Sequence, residues 1–565
     1  MKRFLALALS AIMLVSIGSV AVGCSGGDTD IDPNRIQLNI AVADDGIGKE
    51  YYEYLKTEYE KINPDVQVQI QNRDSLLSNK DQAVTAISDD IAMMGFSDYT
   101  SYGSYLMDIT DIYQSKAFDA EYNYVGMGNG TVSVYDRLDE NERKTYNNGT
   151  EASPEFKVLP FYNSVFGFWY DVDLFNGTKY TPKLYDWEGL KGLDGIEGTA
   201  DDNLGPDGVE GTYDDGLPAT WEDFKALLLY MKNENISKKP FTWSATEDWS
   251  QQYALDQIVA NYEGKNDYTL NYTFNGTHSK LGEITLETGW KISQVINNDM
   301  PYRQGTKAAI YFSDFVRENQ LYSEGSLLPT QTHLVAQTDY LGSILNGDQR
   351  SAFILEGSWW QYEARDTFAS LAKRDPNYAY GKRNFALFPF PKFIGTNGII
   401  DQDATDKNIF PMSGFSNFIP LKIAETNGKG DLVKDFLLFA MDNKHVKKFI
   451  EINAVLPTVD IKYTETELNS WNYMARSQIE FLNESTTEVV MMRNSSTLST
   501  KFGPREQFGT YFRDYNYGSE INGITKQNPL EDMCIDNINF SKYWNGIMAV
   551  AESQFNQTSW ANGTK

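Results

Sequence analysis

The chain has 565 residues and a formal net charge of −29 at pH 7. This length exceeds the about 250–300 residues at which a single hydrophobic core stops growing, so two or more domains are expected. The acidic charge excludes nucleic acid as a partner, because phosphate binding requires a basic surface. The three histidines lie too far apart for a zinc signature, and the only cysteines are Cys24 and Cys534.

The chain begins with the features of an export signal. Lys2 and Arg3 precede an apolar segment over 4–22, and small residues lead to Cys24. The motif AVGC at 21–24 resembles the lipobox of bacterial lipoproteins, with alanine where leucine is usual. The resemblance implies a signal peptide over 1–23, a lipid on Cys24, and anchoring to the extracellular face of the cytoplasmic membrane of a Gram-positive bacterium. The alternative is an uncleaved membrane anchor, because ~20 apolar residues span a bilayer.

The segment after Cys24 predicts a tether followed by an α/β layer. Residues 24–35 are rich in Gly, Ser, Asp and Thr, a composition typical of a flexible linker. Apolar residues alternate over 36–42 and again over 66–70, which predicts two strands, and helical spacing over 52–62 predicts a helix between them. Such a βαβ unit has parallel strands and is typical of α/β domains.

Six segments resemble, in order, the extracellular solute-binding proteins of sugar ABC transporters, the maltose- and oligosaccharide-binding-protein-like family. They are LNIAVADDGIGKEYYEYLKTEYEKINPDVQVQI at 38–70, VLPFYNSVFGFWYDVDLF at 158–175, LPATWEDFKALLLYMK at 217–232, LNGDQRSAFILEGSWW at 345–360, FALFPFPKF at 385–393, and the segment from FPMSGF to LPT at 410–458. One such segment would be weak evidence, whereas six in order after a lipobox are specific.

The resemblance implies an α/β protein with the two-lobed, periplasmic-binding-protein-like (type II) fold, a three-segment hinge and a central cleft. The hinge segments would fall near 158–164, 412–416 and 454–458. Lobe one would comprise 36–160 plus 415–455, and lobe two 165–411 plus 457–565.

The resemblance also implies the function. Members of this family are not enzymes: they capture a carbohydrate in the cleft between the lobes and deliver it to the permease subunits of an ABC importer. We expect the same here, with a monomeric protein and no catalytic cofactor or catalytic residue. The length of the chain and its 14% aromatic content favour an oligosaccharide over a monosaccharide, because the apolar face of a pyranose lies on an aromatic ring.

Ligand-binding residues are expected in the loops after the strands, where α/β sheets bind their ligands. Together with the hinge, the positions matching the family are Asp44, Asp45, Asp98, Tyr99, Tyr162, Asn163, Trp243, Glu247, Trp249, Trp359, Trp360, Ser413 and Gly414. Trp359 is the strongest candidate, because the family often stacks a sugar on a Trp at this spacing after a Gly. For every aromatic candidate the alternative is a core residue.

An acidic repeat lies between the second and third matching segments. DGIEGTADDNL at 194–204 recurs as DGVEGTYDDGL at 207–217. Closely spaced Asp with intervening Gly suits Ca²⁺, which takes six to eight oxygen ligands and needs tight turns to present them. One or two structural Ca²⁺ ions are predicted, with ligands among Asp194, Asp201, Asp202, Asn203, Asp207, Asp214 and Asp215. The alternative is a solvated acidic loop with glycine turns.

Three rival functions stay open at this point. A surface glycan-active enzyme would need two positioned carboxylates, and carboxylates are too abundant here to decide. A binding lipoprotein for a peptide or polyamine would share the fold, and a polyamine would favour carboxylates in the cleft. An adhesive lipoprotein without a transporter is the third.

Overall fold

The structure is a computed structural model. It describes residues 31–43, 46–73, 87–94, 102–172, 175, 199, 204–210, 212–246, 248–273, 276–279, 282–284, 304–343, 350–394, 407–491 and 529–546. Within these ranges, no helix combines the length and apolar character needed to cross a membrane. The predicted signal segment, tether start and lipid site lie outside the described residues.

The named strands are β1 (Ile36–Val42), β2 (Val66–Asn72), β3 (Ile91–Met94), β4 (Leu159–Asp171), β5 (Phe241–Thr242), β6 (Gly276–His278), β7 (Gly282–Ile284), β8 (Phe353–Gly357), β9 (Phe385–Leu387), β10 (Asn408–Pro420), β11 (Leu456–Pro457) and β12 (Thr487–Met491).

The named helices are α1 (Glu50–Ile62), α2 (Thr110–Gln114), α3 (Val134–Arg137), α4 (Glu140–Thr145), α5 (Trp221–Asn233), α6 (Asp248–Glu263), α7 (Lys265–Thr273), α8 (Gln304–Glu318), α9 (His333–Ser343), α10 (Trp360–Glu363), α11 (Arg365–Ala372), α12 (Lys422–Thr426), α13 (Gly430–Ala440), α14 (Asn443–Asn453), α15 (Glu465–Ser470), α16 (Tyr473–Asn483) and α17 (Pro529–Ile535).

The chain divides into two compact units. Unit 1 consists of Met1–Arg137, Tyr146–Pro160 and Ser416–Val446, and unit 2 of Leu138–Thr145, Phe161–Phe415 and Lys447–Lys565. The chain therefore changes units inside β4, β10 and α14. Residues 138–145 and 447–455, predicted to belong to lobe one, group with unit 2.

Unit 1 contains the predicted βαβ unit, which is confirmed. β1 pairs in parallel with β2 on one side and with β3 on the other, and the end of β10 pairs with β3 in the antiparallel direction. Helix α1 buries Tyr51, Tyr52, Leu55 and Tyr59, the residues at helical spacing. The Tyr59 ring packs edge-on against Phe436 and Phe439 of α13, and its hydroxyl donates to Asp435 (2.7 Å).

Unit 2 is built around β8, which pairs in parallel with β5 and antiparallel with β4. β9 and β11 also pair with β4, and β12 pairs with the first half of β10. Its larger core is aromatic, with Phe224 of α5 packed against the rings of Phe241, Phe353 and Phe388. Helix α5 begins with the predicted capping box: Thr220 and Asp223 each bond the other's backbone N–H.

Candidate functional site

One end of the unit 2 sheet carries the candidate site. The parallel strands β5 and β8 have their carboxyl ends on this side of the sheet. The amino-terminal part of β4 lies on the same side, because β4 runs antiparallel to β8. Ligands of α/β proteins bind outside the carboxyl ends of parallel strands. The residues at these strand ends form what we term the polar edge: Asn163, Ser164, Trp243, Ser244, Ser358 and Trp359.

Two serines join the start of β4 to the end of β8. The hydroxyl oxygens of Ser164 and Ser358 lie 3.2 Å apart, and the Ser358 N–H donates to the Ser164 hydroxyl at 3.2 Å. The Val165 N–H donates to the Ser358 hydroxyl at 3.3 Å. These contacts fix the chain on both sides of the edge, so the neighbouring Asn163 and Trp359 occupy set positions.

Trp359 folds back over the strand that precedes it. A Cβ atom at Gly357 would lie 2.0 Å from the Trp359 ring, so only glycine fits this close approach. The ring also packs edge-on against Phe166, with ring centroids 5.3 Å apart, and only 2% of Trp359 is exposed. This packing gives a physical reason for the Gly-x-Trp pattern: the glycine makes room for the indole.

Asn163 meets a buried carboxyl group that the sequence analysis did not select. Its amide nitrogen donates to Glu142 Oε1 from α4. Burial raises the pKa of Glu142 to about 8; the Asn163 hydrogen bond opposes this shift and the charge of Asp139 adds to it. Glu142 Oε2 and Asn163 Oδ1 are buried and have no hydrogen-bond partner among the described residues. At neutral pH this pair therefore offers a neutral carboxyl group and a free amide oxygen.

A second buried carboxyl group, Glu356, lies at the end of β8. Burial raises its pKa to about 8, the negative charge of Glu363 adds to the shift, and His333, the Gly357 N–H and Gln337 oppose it. Glu363 itself accepts from Gln337 at 2.6 Å and lies 3.2 Å from His333 Nε2. The strand end thus carries a polar network inside an otherwise apolar layer.

Three further predicted aromatic residues lie in the interior, as the 2% exposed Trp359 does. Tyr162, Trp243 and Trp360 are fully buried. Trp360 packs edge-on against Tyr340 and Phe385 in one hydrophobic core of unit 2, and Trp243 belongs to the other. Trp243 and Trp360 are therefore core residues, because their rings are enclosed by other apolar side chains. This is the alternative stated for each aromatic candidate.

Several predicted ligand residues cannot be placed on the edge. Asp44, Asp45, Asp98, Tyr99 and Glu247 lie outside the described residues. Trp249 lies in α6, and Ser413 and Gly414 lie in β10, with only their backbone described.

The acidic repeat is described in its second half. Asp194, Asp201, Asp202 and Asn203 lie outside the described residues, whereas Asp207 and Asp214 are buried and Asp215 is exposed. Within the described ranges, no three His, Cys, Asp or Glu side chains are grouped so that they could hold a metal ion. The calcium sites stay a prediction.

Glu142, Glu356 and Gln361 are the polar residues that sequence reasoning missed. Glu356 had a signal, since it is the charged residue of an apolar strand, FILEG. Gln361 is fully buried with both amide atoms unpartnered, but nothing in its sequence neighbourhood marks it. Glu142 belongs to the helix ENERKT, and the charged sequence of this helix predicts an exposed surface position.

No protein-family model and no curated protein matches the chain. Among solved structures, the chain is similar to a probable secreted solute-binding lipoprotein from Streptomyces coelicolor, with 12% identity and a TM-score of 0.52 over 94% of this chain and 100% of the other. The bacterial solute receptor AcbH, described with an exclusive preference for β-D-galactopyranose, gives 12% identity and a TM-score of 0.54 over 92% and 98% of the two chains.

The solute-binding protein RafE in complex with raffinose gives 12% identity and a TM-score of 0.52, over 92% of this chain and 99% of its own. Similarity at this level of identity concerns the fold, and it extends over nearly the whole length of each protein. The predicted fold class is confirmed: the chain has the two-lobed α/β fold of bacterial solute-binding proteins.

Proposed function

We propose that the protein is the substrate-binding lipoprotein of an ABC importer, which captures a carbohydrate outside the cell and delivers it to the membrane permease. The observation that carries this proposal is the shared fold over nearly the whole chain with AcbH and RafE, two receptors described with sugars. A ligand that binds one conformation of such a protein more tightly than another shifts its conformational equilibrium, and this shift can signal loading to the permease.

The chemistry of the polar edge supports a sugar ligand. Sugar hydroxyl groups both donate and accept hydrogen bonds, and Asn163 Oδ1 is a buried acceptor without a partner. Glu142, with its pKa near 8, is protonated at neutral pH and can donate as well as accept. Leaving such groups unsatisfied costs about 1–3 kcal/mol each, so a hydroxyl that reaches them gains affinity.

Calorimetry against a panel of ligands tests the proposal. The panel contains galactose, raffinose, and malto-, xylo- and chitin oligosaccharides, with spermidine and a tripeptide as the rival solutes. We expect an oligosaccharide to bind with a dissociation constant near 1 μM, which is about −8 kcal/mol. Binding of spermidine or the peptide alone would replace the carbohydrate assignment. Binding of galactose alone would refute the preference for an oligosaccharide but would leave the carbohydrate assignment in place.

Variants of the polar edge test the site. Trp359→Ala is expected to weaken binding of the identified sugar by about tenfold or more, because a stacked aromatic contact contributes about 0.5–1.5 kcal/mol beyond the area that it buries. Trp359→Phe keeps a ring and should lose less. Tyr105→Ala, which removes an exposed ring in unit 1, is the control. Melting curves of each variant separate loss of binding from loss of folding, and unchanged affinity of a folded Trp359→Ala protein removes Trp359 from the site.

The same proposal includes a lipid on Cys24. Two or three acyl chains, each with about 0.8 kcal/mol per buried CH₂ group, would hold the receptor at the membrane near its permease. Labelled palmitate is expected to be incorporated into the unaltered protein and not into Cys24→Ala. An unaltered protein in the membrane fraction that takes up no label would indicate the uncleaved anchor instead.

A further inference from the structure

A cluster of oxygen atoms lies in the second half of the acidic repeat, where the Val209 N–H donates to Asp207 Oδ1 at 2.8 Å and the Asp207 N–H donates to Asp214 Oδ2 at 3.1 Å. The Thr212 hydroxyl lies 2.7 Å from Asp214 Oδ1, 3.2 Å from Asp207 Oδ1 and 3.0 Å from the Val209 carbonyl oxygen. A hydroxyl group has one proton, so it can donate fully to only one of these three acceptors. We call Asp207, Val209, Thr212, Asp214 and Asn408 the oxygen cluster.

The two carboxyl groups of the oxygen cluster are buried. Asp207 is 3% exposed and Asp214 is not exposed at all. Asp207 Oδ2 is buried and, in the ranges that the structure describes, has no hydrogen-bond partner. Across the described part of the chain, neither carboxylate forms a salt bridge with a Lys or Arg. A buried charge without a counterion is strongly unfavourable, so this arrangement calls for a cation or a proton.

The oxygen cluster joins the repeat to two other segments of unit 2. Asn408, the first residue of β10, donates its amide N–H to Asp214 Oδ2 at 2.8 Å, and its own Oδ1 is buried without a partner. Glu484, which follows α16, accepts from the Tyr213 N–H at 3.1 Å. Glu484 Oε2 is buried and has no hydrogen-bond partner in the described part of the chain.

We propose that the oxygen cluster binds a Ca²⁺ ion, with the carboxylates of Asp207 and Asp214 as its charged ligands and the Asn408 amide oxygen among its neutral ones. Two carboxylates with amide, carbonyl and hydroxyl oxygens suit Ca²⁺, which accepts six to eight oxygens in flexible geometry. Mg²⁺ is a poorer fit, because it demands a near-ideal octahedron and keeps its waters. The ion would hold the repeat to the start of β10.

Calcium binding to the purified protein tests this proposal directly. The protein is stripped with a chelator and titrated with CaCl₂ in a calorimeter, with MgCl₂ in a parallel arm, and both forms are melted. We expect saturable binding of Ca²⁺ and a higher melting temperature with it. A ligand at 100 times its dissociation constant multiplies the folding equilibrium constant by about 100. Superimposable melting curves and no binding heat would overturn the proposal, and an equal effect of Mg²⁺ would overturn the choice of ion.

Matched variants assign the ion to this cluster. Asp214→Asn and Asp207→Asn keep the side-chain shape and remove one charge each, and we expect each to weaken Ca²⁺ binding by more than about tenfold. Glu210→Gln removes an exposed charge from the same loop and should bind as the unaltered protein does. Because Asp214→Asn also removes a buried charge, it should melt no lower than the calcium-free parent. A folded Asp214→Asn protein that binds Ca²⁺ with unchanged affinity would overturn the site.

Discussion

Glu142 shows how one buried carboxyl group can serve binding at the expense of stability. It is 1% exposed, and among the described residues the groups that act on its charge are the Asn163 amide and the like charge of Asp139 rather than a cation. The protonated form is therefore favoured in the folded protein, and the pKa rises to about 8. A group held neutral in this way can donate a hydrogen bond to a ligand at neutral pH.

The raised pKa predicts a pH dependence of stability. The pKa of Glu142 rises from an ordinary value of 4.5 to about 8 on folding. Its contribution is fully present below about pH 4.5 and is lost as the pH rises towards about 8, because the unfolded state then ionises more readily. Glu142→Gln should remove this loss, so its urea midpoint should fall less than that of the parent between about pH 5 and about pH 8.

Glu140 provides the matched control for this measurement. It lies on the same helix, is exposed, and pairs with Lys144, which lowers its pKa. Glu140→Gln should therefore keep the fall of the urea midpoint with rising pH that Glu142→Gln removes. Equal slopes in the parent and in Glu142→Gln would show that this carboxyl group does not control the pH dependence.

At the scale of elements, two helices begin with the same motif but differ in what they bury. Thr220 at the start of α5 and Thr464 at the start of α15 both form capping boxes, with Asp223 and Glu467 respectively. Helix α5 buries Trp221, Phe224 and three further residues, whereas α15 buries none. Loss of the N-cap should therefore lower the free energy of global unfolding in α5 but not in α15.

Thr220→Ala is expected to lower the free energy of unfolding by about 1 kcal/mol, the usual effect of losing an N-cap. Thr220→Ser keeps the hydroxyl and should restore most of it. Thr464→Ala removes the same hydrogen bonds from α15 and should leave the urea midpoint nearly unchanged, because that helix can fray without opening a core. Equal losses in both alanine variants would show that α15 unfolds together with the rest of its unit.

Sequence patterns within a short segment predicted the strands and helices that depend on that segment alone. Strands β1 and β2, predicted from alternation, the buried spacing of Tyr52, Leu55 and Tyr59 on α1, and the capping box of α5 all appear in the structure. β4 is buried at every position, so it has no alternation, and only the resemblance indicated its place. The polar edge depends on the register between β4 and β8, in which Phe166 faces Gly357. Such a distant pairing, like the contact between Asn163 and Glu142, has no signature in a short stretch of sequence.

At the scale of the whole molecule, each unit has its own hydrophobic interior. Unit 1 packs α1 against α13 through Tyr59 and Phe436, and unit 2 holds two large clusters, one of them around Phe224 and Phe353. Proteins with more than one such unit often unfold in more than one step. We therefore expect the ligand-free protein to give a calorimetric enthalpy of unfolding larger than its van't Hoff enthalpy.

A bound carbohydrate should change this behaviour if both units contribute to its site. The sequence predicts ligand residues on both lobes, with Asp44 and Asp98 on lobe one and Trp359 on lobe two. A ligand that binds only the native state adds about 2.7 kcal/mol at 100 times its dissociation constant, and a ligand held by both units stabilises both. Scanning calorimetry with the sugar identified by the panel should then show a higher melting temperature and a ratio of the two enthalpies closer to one. A ligand that shifts only one part of the transition would show that a single unit holds the binding site.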